Sequence, residues 1–189
     1  MNGRTSTVTA GPAPGPASGM TAAAAVHPLV AGGAGHRPGT RPWPVFAGLG
    51  PMGALPTAPG VARAFTALTL GGWDLTGVPD LPDVSELIVS ELSTNVVRLA
   101  TGQDGSAVYQ PDGRLTQIWL RLMSDRTQVQ IELWDNLPQS AGVPVLRHPE
   151  ESEEHGRGLQ LVDRLSRDWG SNLVPGMRAK FVWALLDVR

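Results

Sequence analysis

Glu91 and Asn95 stand four residues apart in the segment Ser90-Glu91-Leu92-Ser93-Thr94-Asn95-Val96-Val97-Arg98-Leu99-Ala100. On a helix they point the same way, one turn above the other. Val84, Leu87, Ile88, Leu92, Val96 and Leu99 recur at three- and four-residue steps and predict the buried stripe of that helix. A carboxylate and a carboxamide beside such a stripe must be hydrogen-bonded within the fold or serve a ligand. One chemistry that uses this pair is magnesium-nucleotide handling: the amide oxygen ligates the metal and the carboxylate orients a water or hydroxyl for attack. The same spacing is also met on solvated or capped helix faces, so the pair alone does not decide.

Two further segments bear on it. Ile131-Glu132-Leu133-Trp134-Asp135-Asn136 predicts a strand with an acidic residue at its rim, and on position alone Asp135 is equally a turn aspartate. His155-Gly156-Arg157-Gly158-Leu159-Gln160-Leu161-Val162 predicts a glycine turn entering a helix, where free N–H groups and the positive dipole end favour phosphate. A dinucleotide-binding turn is rejected: an acidic loop precedes it, and Leu161 stands where a third glycine belongs. In their order, helix with Glu and Asn, strand with Asp, then Gly-x-Gly-Leu helix, the segments resemble the GHKL ATP-binding domain. That domain is shared by histidine kinases, gyrase-type ATPases and anti-sigma-factor kinases. In particular they resemble small actinobacterial-type ATP-binding regulators related to anti-sigma-factor serine/threonine kinases. In those, a Val-Ser-Glu-Leu-x-Thr-Asn-x-Val-Arg helix precedes a Trp-Asp strand and a Gly-Arg-Gly-Leu turn. The likeness spans Val61 to Leu186.

The resemblance implies ATP and Mg2+ as cofactors, with Asn95 as metal ligand and Glu91 as catalytic base. It implies nucleotide contacts from Asn95, Arg98, Asp135, Leu137, Gly156, Arg157, Gly158 and Leu159. Asp135 would accept the adenine amino group, and Arg157 could face the phosphates or solvent. Leu137 stands where the wider family has a glycine. In the closing strand, Lys180 is kept but Phe181 replaces a threonine hydroxyl. Leu99, in place of a frequent histidine, is expected to be core packing. The implied activity is transfer of a phosphoryl group to a serine or threonine of a small anti-anti-sigma-like partner, with a sigma factor as a further partner and a homodimer allowed. A non-catalytic nucleotide-binding interaction module is the alternative. No histidine phosphoacceptor segment is visible, which argues against a full sensor kinase.

Those residues need a frame. Pro44 limits Trp43–Ala47 to an edge strand or extended arm. Thr57-Ala58-Pro59-Gly60 opens a helix with the stripe Val61, Ala64, Phe65 and Leu68, which Gly71-Gly72 ends. The Glu91 helix is expected to start at Asp83 as N-cap, with Glu86 closing a capping box, and to stop at Gly102. Leu115–Met123 and Val129–Leu133 alternate and predict a hairpin across Ser124-Asp125-Arg126. The segment 136–154, with Pro138, Pro144, Pro149 and four glutamates at 150, 151, 153 and 154, is expected to be a lid-like loop. A Gly158–Arg167 helix and a Lys180–Leu186 strand follow. The predicted fold is α+β: a two-layer sandwich with a mostly antiparallel mixed sheet and helices on one face, the layout of the Bergerat-type ATP-binding fold.

Composition sets bounds. The 189 residues suffice for one domain with a sizeable core, expected over residues 41–189. Residues 1–40 carry Gly, Ala or Pro at more than half of positions and no acidic or aromatic residue, and are expected to be a disordered tail. The formal charge of −2 gives no sign of a bulk nucleic-acid or membrane partner. The absence of cysteine removes disulfides, thiolate zinc sites and cysteine nucleophiles and fits a reducing cytoplasm. No apolar run approaches the ~20 residues that cross a bilayer. Lys180 is the chain's only lysine.

Overall fold

Strands β2 (Gln117–Ser124) and β3 (Gln128–Asp135) are buried along almost their whole length, so both sheet faces are covered at the centre. They form the expected hairpin. Asp125 Oδ1 accepts from the Thr127 N–H, the Thr127 hydroxyl and the Gln128 N–H, and Arg126 takes a positive φ of 67°. This computed structural model describes residues 43–102, 106, 107, 109, 110, 112–137, 157–174 and 179–189. The 1–40 tail, Gly156, the 150–154 acidic run and most of the 136–154 loop lie outside the described residues.

The other elements are β1 (Val45–Gly53), α1 (Ala58–Gly72), α2 (Leu81–Leu99), α3 (Arg157–Leu165), β4 (Asp168–Leu173) and β5 (Lys180–Asp187). The sheet runs β1-β2-β3-β5-β4, and every neighbouring pair is antiparallel. The expected mixed sheet is therefore corrected among the described strands. β3 and β4 do run the same way, but β5 is inserted between them, so they never pair. β1 is an edge strand, as Pro44 required. Its register shifts between Leu49 and Met52, where Gly50 has φ +130° and lies so close to β2 that an added Cβ would sit 2.8 Å from the Ile118 carbonyl oxygen. Only glycine fits there.

Alternation sorts the strand residues into two faces. Ile118, Leu120, Leu122, Val129, Ile131, Leu133, Val182, Ala184 and Leu186 share one core cluster with Ile88, Leu92 and Val96 of α2 and Ala62 and Leu70 of α1. The architecture is thus α+β, an antiparallel sheet with helices on that face. The opposite face carries Trp119, Arg121, Glu132, Trp134 and Phe181, all buried. Trp134 and Phe181 stack at 4.3 Å. Glu132 accepts from Arg121 Nε (2.9 Å), Gln130 Nε2 (2.7 Å) and Trp134 Nε1 (2.9 Å), and Arg121 Nη2 lies 2.7 Å away.

Two helix expectations change. α1 buries Ala58, Ala62, Thr66 and Leu70, a stripe of mostly small residues, while Val61 and Leu68 are exposed. Small side chains allow close approach to α2, and that decides the rotation over bulk hydrophobicity. α2 begins one turn earlier than expected. Asp80, with φ 59°, precedes it without a side-chain cap, and Pro82 sits in the first turn, where a missing N–H costs nothing. Asp83 therefore lies inside that turn and still favours the dipole. The helix ends at Ala100, before Gly102, whose N–H bonds the Ser106 carbonyl.

The Glu132 network gives the first prediction. Glu132→Ala leaves the Arg121 charge buried without its counter-ion and should cost about 3–5 kcal/mol. Replacing both partners by apolar residues, Arg121→Met with Glu132→Leu, should recover most of that loss in urea unfolding. Equal losses would mean that the ion pair is not what the single change breaks.

Candidate functional site

Glu91 and Asn95 lie on the half-buried flank of α2, one turn apart, as the spacing required. The first turn of α3 seats directly on them. An added Cβ at Gly158 would stand 2.6 Å from Glu91 Oε2 and 3.5 Å from Asn95 Nδ2. No real side chain tolerates the first distance without moving the carboxylate, so Gly158 is what lets the α3 backbone approach this pair. Arg98 Nη2 donates to Asn95 Oδ1 at 3.2 Å, so the amide oxygen is already engaged. Arg157 opens α3.

Asp135 ends β3 on the helix-facing side of the sheet. Register pairs it with Ile118 on one neighbour and with Lys180 on the other. Its Oδ1 accepts from the Leu137 N–H at 2.9 Å and lies 3.9 Å from Lys180 Nζ. Asn136 fixes the turn, its Oδ1 accepting from the Gln117 N–H at 2.7 Å, and Leu137 is buried. Both Asp135 and Lys180 are 2% exposed. Burial pushes the Asp135 carboxyl up to about 6, against the opposing pull of the Lys180 charge and the Leu137 N–H.

Asn95, Asp135 and Lys180 share one cleft. Asn95, Leu92, Val96 and Leu99 of α2, Leu133 and Asp135 of β3, Lys180 and Val182 of β5, and Leu159 of α3 line a cavity of about 20 Å³, room for about one water. A larger cleft, about 400 Å³, lies at the other end of the sheet around Asp80, Arg167, Asp187 and Arg189. It holds none of the residues singled out for chemistry, so the smaller one is the candidate site despite its size.

Most sequence-predicted residues therefore converge. Glu91, Asn95 and Arg98 cluster with Gly158, while Asn95, Asp135 and Leu159 line the cavity; Leu137 reaches Asp135 through its backbone alone. Gly156 and the side chain of Arg157 lie outside the description. Two expectations are corrected. Leu99 is 50% exposed and lines the cleft, so it is no core residue. Phe181 does not stand in for a pocket hydroxyl, because alternation turns it to the opposite face, onto Trp134. The β5 residue that faces Asp135 is Lys180, which residue-by-residue reading did not place in the site. Its signal was available: a single lysine flanked by Ala179 and Phe181 in an apolar strand. Among the described residues no group of three or more His, Cys, Asp or Glu could hold a metal.

The carboxyl shift sets a pH dependence. A carboxyl whose folded pKa lies above its unfolded value takes up a proton on folding. Its contribution favours the fold fully below about pH 4 and is lost as pH rises through about 6. The change corresponds to about 3 kcal/mol. Wild-type stability relative to Asp135→Asn should fall by about 1–3 kcal/mol between pH 4 and pH 7.5 in urea titrations. A constant difference would mean an ordinary carboxyl.

No protein-family model and no curated protein sequence matches this chain.

Proposed function

We propose that the chain binds Mg-ATP between α2 and α3 in the manner of a GHKL domain. The Bergerat-type fold is part of that reading. Its γ-phosphoryl group would pass to a serine or threonine hydroxyl of a small anti-anti-sigma-like regulatory protein. The single observation that carries the reading is the seat of Gly158 on Glu91 and Asn95, beside a cleft that ends in Asp135. That arrangement brings a helix N-terminus, a carboxylate, an amide and a buried base acceptor to one end of the sheet.

Phosphoryl transfer needs positioning and charge neutralisation more than covalent chemistry. The donors present fit a magnesium ion that keeps phosphate and water ligands, since such ions take only one or two protein oxygens. Asn95 would supply that oxygen after Arg98 turns from it, which frees the guanidinium for phosphate. The bound ion would neutralise phosphate charge. Glu91, beside the first turn of α3, would hold the attacking hydroxyl and take its proton. Asp135 would accept the adenine amino group, and Leu99 and Leu159 would flank the ring. A ring needs more than the volume of one water, so binding requires Leu99 or Leu159 to move outward. The engaged Asn95 oxygen and the narrow cleft favour a second reading, a module that binds a partner protein with nucleotide as a shaping ligand and no transfer.

Titration calorimetry with a non-hydrolysable ATP analogue, with and without Mg2+, tests the binding. Asn95→Ala should abolish the magnesium-dependent part while its thermal unfolding stays close to wild type; an unchanged titration removes the metal role. Glu91→Ala separates kinase from module. A base acts in the transition state, so the variant should keep ATP affinity within about tenfold and lose ~10²–10⁴ in transfer from labelled ATP to small regulatory proteins. If the wild type transfers nothing and Glu91→Ala binds the same partners equally well, the module reading stands.

A further inference from the structure

We infer that Lys180 sets base selectivity in this cleft: paired with Asp135 it makes a donor–acceptor couple that takes oxo-purines as readily as amino-purines, so ATP and GTP bind alike. The inference rests on the nucleotide reading above and concerns which nucleotides that site admits. It begins from the chain's only lysine, which is 2% exposed on the strand beside Asp135. Lysine is almost never buried to that degree without a specific partner. The Nζ–Oδ1 distance of 3.9 Å is an ion-pair contact and exceeds a direct hydrogen bond. Both side chains line the same cavity, about one water in size.

A lone carboxylate in this position discriminates strongly. Adenine offers it an amino N–H, whereas guanine turned the same way offers a carbonyl oxygen and is repelled. An ammonium beside the carboxylate removes that repulsion. Guanine can then donate its ring N–H to Asp135 while its carbonyl oxygen accepts from Lys180. Adenine donates its amino N–H to Asp135 while a ring nitrogen accepts from Lys180. Each base thus offers a donor to Asp135 and an acceptor to Lys180. Leu133, Val182 and Leu159 form the apolar walls and do not distinguish the two bases. Phe181, on the other face, has no part in the choice.

The test is calorimetric titration of the wild type and of Lys180→Met with ATP and GTP analogues at pH 8.5, where the wild-type Asp135 is ionised. The expected wild-type ratio of dissociation constants is below tenfold. In Lys180→Met, GTP should weaken at least tenfold more than ATP. A wild-type preference for ATP of tenfold or more overturns the inference and leaves ATP binding standing, and so does an unchanged ratio in the variant. Binding of neither nucleotide to the wild type removes the nucleotide reading itself. A check free of any substitution uses protein labelled with ¹³C-lysine, whose side-chain ε-CH₂ resonance comes from Lys180 alone. It should shift on addition of either nucleotide. A resonance unmoved by a nucleotide that calorimetry shows to bind places Lys180 outside the base pocket.

Discussion

Helix α2 cannot leave the sheet without bringing Ile88, Leu92 and Val96 into water, and these three lie in the same buried cluster as Leu133 of β3 and Val182 of β5. Each such side chain contributes about 1.5–3 kcal/mol on full burial. That packing fixes the rotation of α2 about its axis, and rotation is what the candidate site depends on. With Leu92 and Val96 turned inward, Asn95 is left at the margin of the helix, level with the end of β3. Glu91, one turn earlier, falls beneath the start of α3. A rotation by one residue would carry Asn95 away from Asp135 and leave Gly158 facing a different side chain. The placement of the candidate site's polar groups therefore depends on apolar packing.

The sheet holds two buried acid–base pairs, and they are built differently. On one face Glu132 accepts three N–H hydrogen bonds from three side chains, and Arg121 Nη2 completes an ion pair at 2.7 Å. On the other face Asp135 has one backbone N–H at 2.9 Å and a lysine at 3.9 Å, and its carboxyl is pushed up to about 6. Among the described residues the Asp135 carboxyl thus has fewer hydrogen-bond donors than the Glu132 carboxylate. A buried carboxyl with a raised pKa that lines a cleft is a candidate ligand group. This difference between the two faces of one sheet adds to the seat of Gly158 as a reason to look for a ligand at the Asp135 end.

Much of this was legible in the residues because period and position agreed. The Glu91/Asn95 helix, the hairpin across Asp125, the edge position of β1 and the closing strand all followed from apolar spacing and from where proline can sit. What was not legible had local causes. β4, Asp-Trp-Gly-Ser-Asn-Leu, has neither alternation nor β-branched residues and is a strand only because β5 offers it a partner. The face of α1 was misassigned because small residues were buried and Leu68, the larger, was not. The pocket role of Lys180 was hidden because strand parity, which decides between 180 and 181, shifts with a one-residue change in register. The same parity moved Phe181 out of the site.

The open sheet leaves two edges, and β1 shows how one is guarded. Its pairing register with β2 is broken between Leu49 and Met52, and Pro51 in that interval has no N–H to offer. A foreign strand approaching β1 from outside would meet an uninterrupted ladder only from Val45 to Leu49, five residues, before the template fails. Strands of that length add little association energy without a shared apolar face. The same glycine that lets the chain press against Ile118 and Trp119 thus also serves colloidal behaviour. It shortens the stretch of this edge along which copies of this chain could zip together in crowded solution.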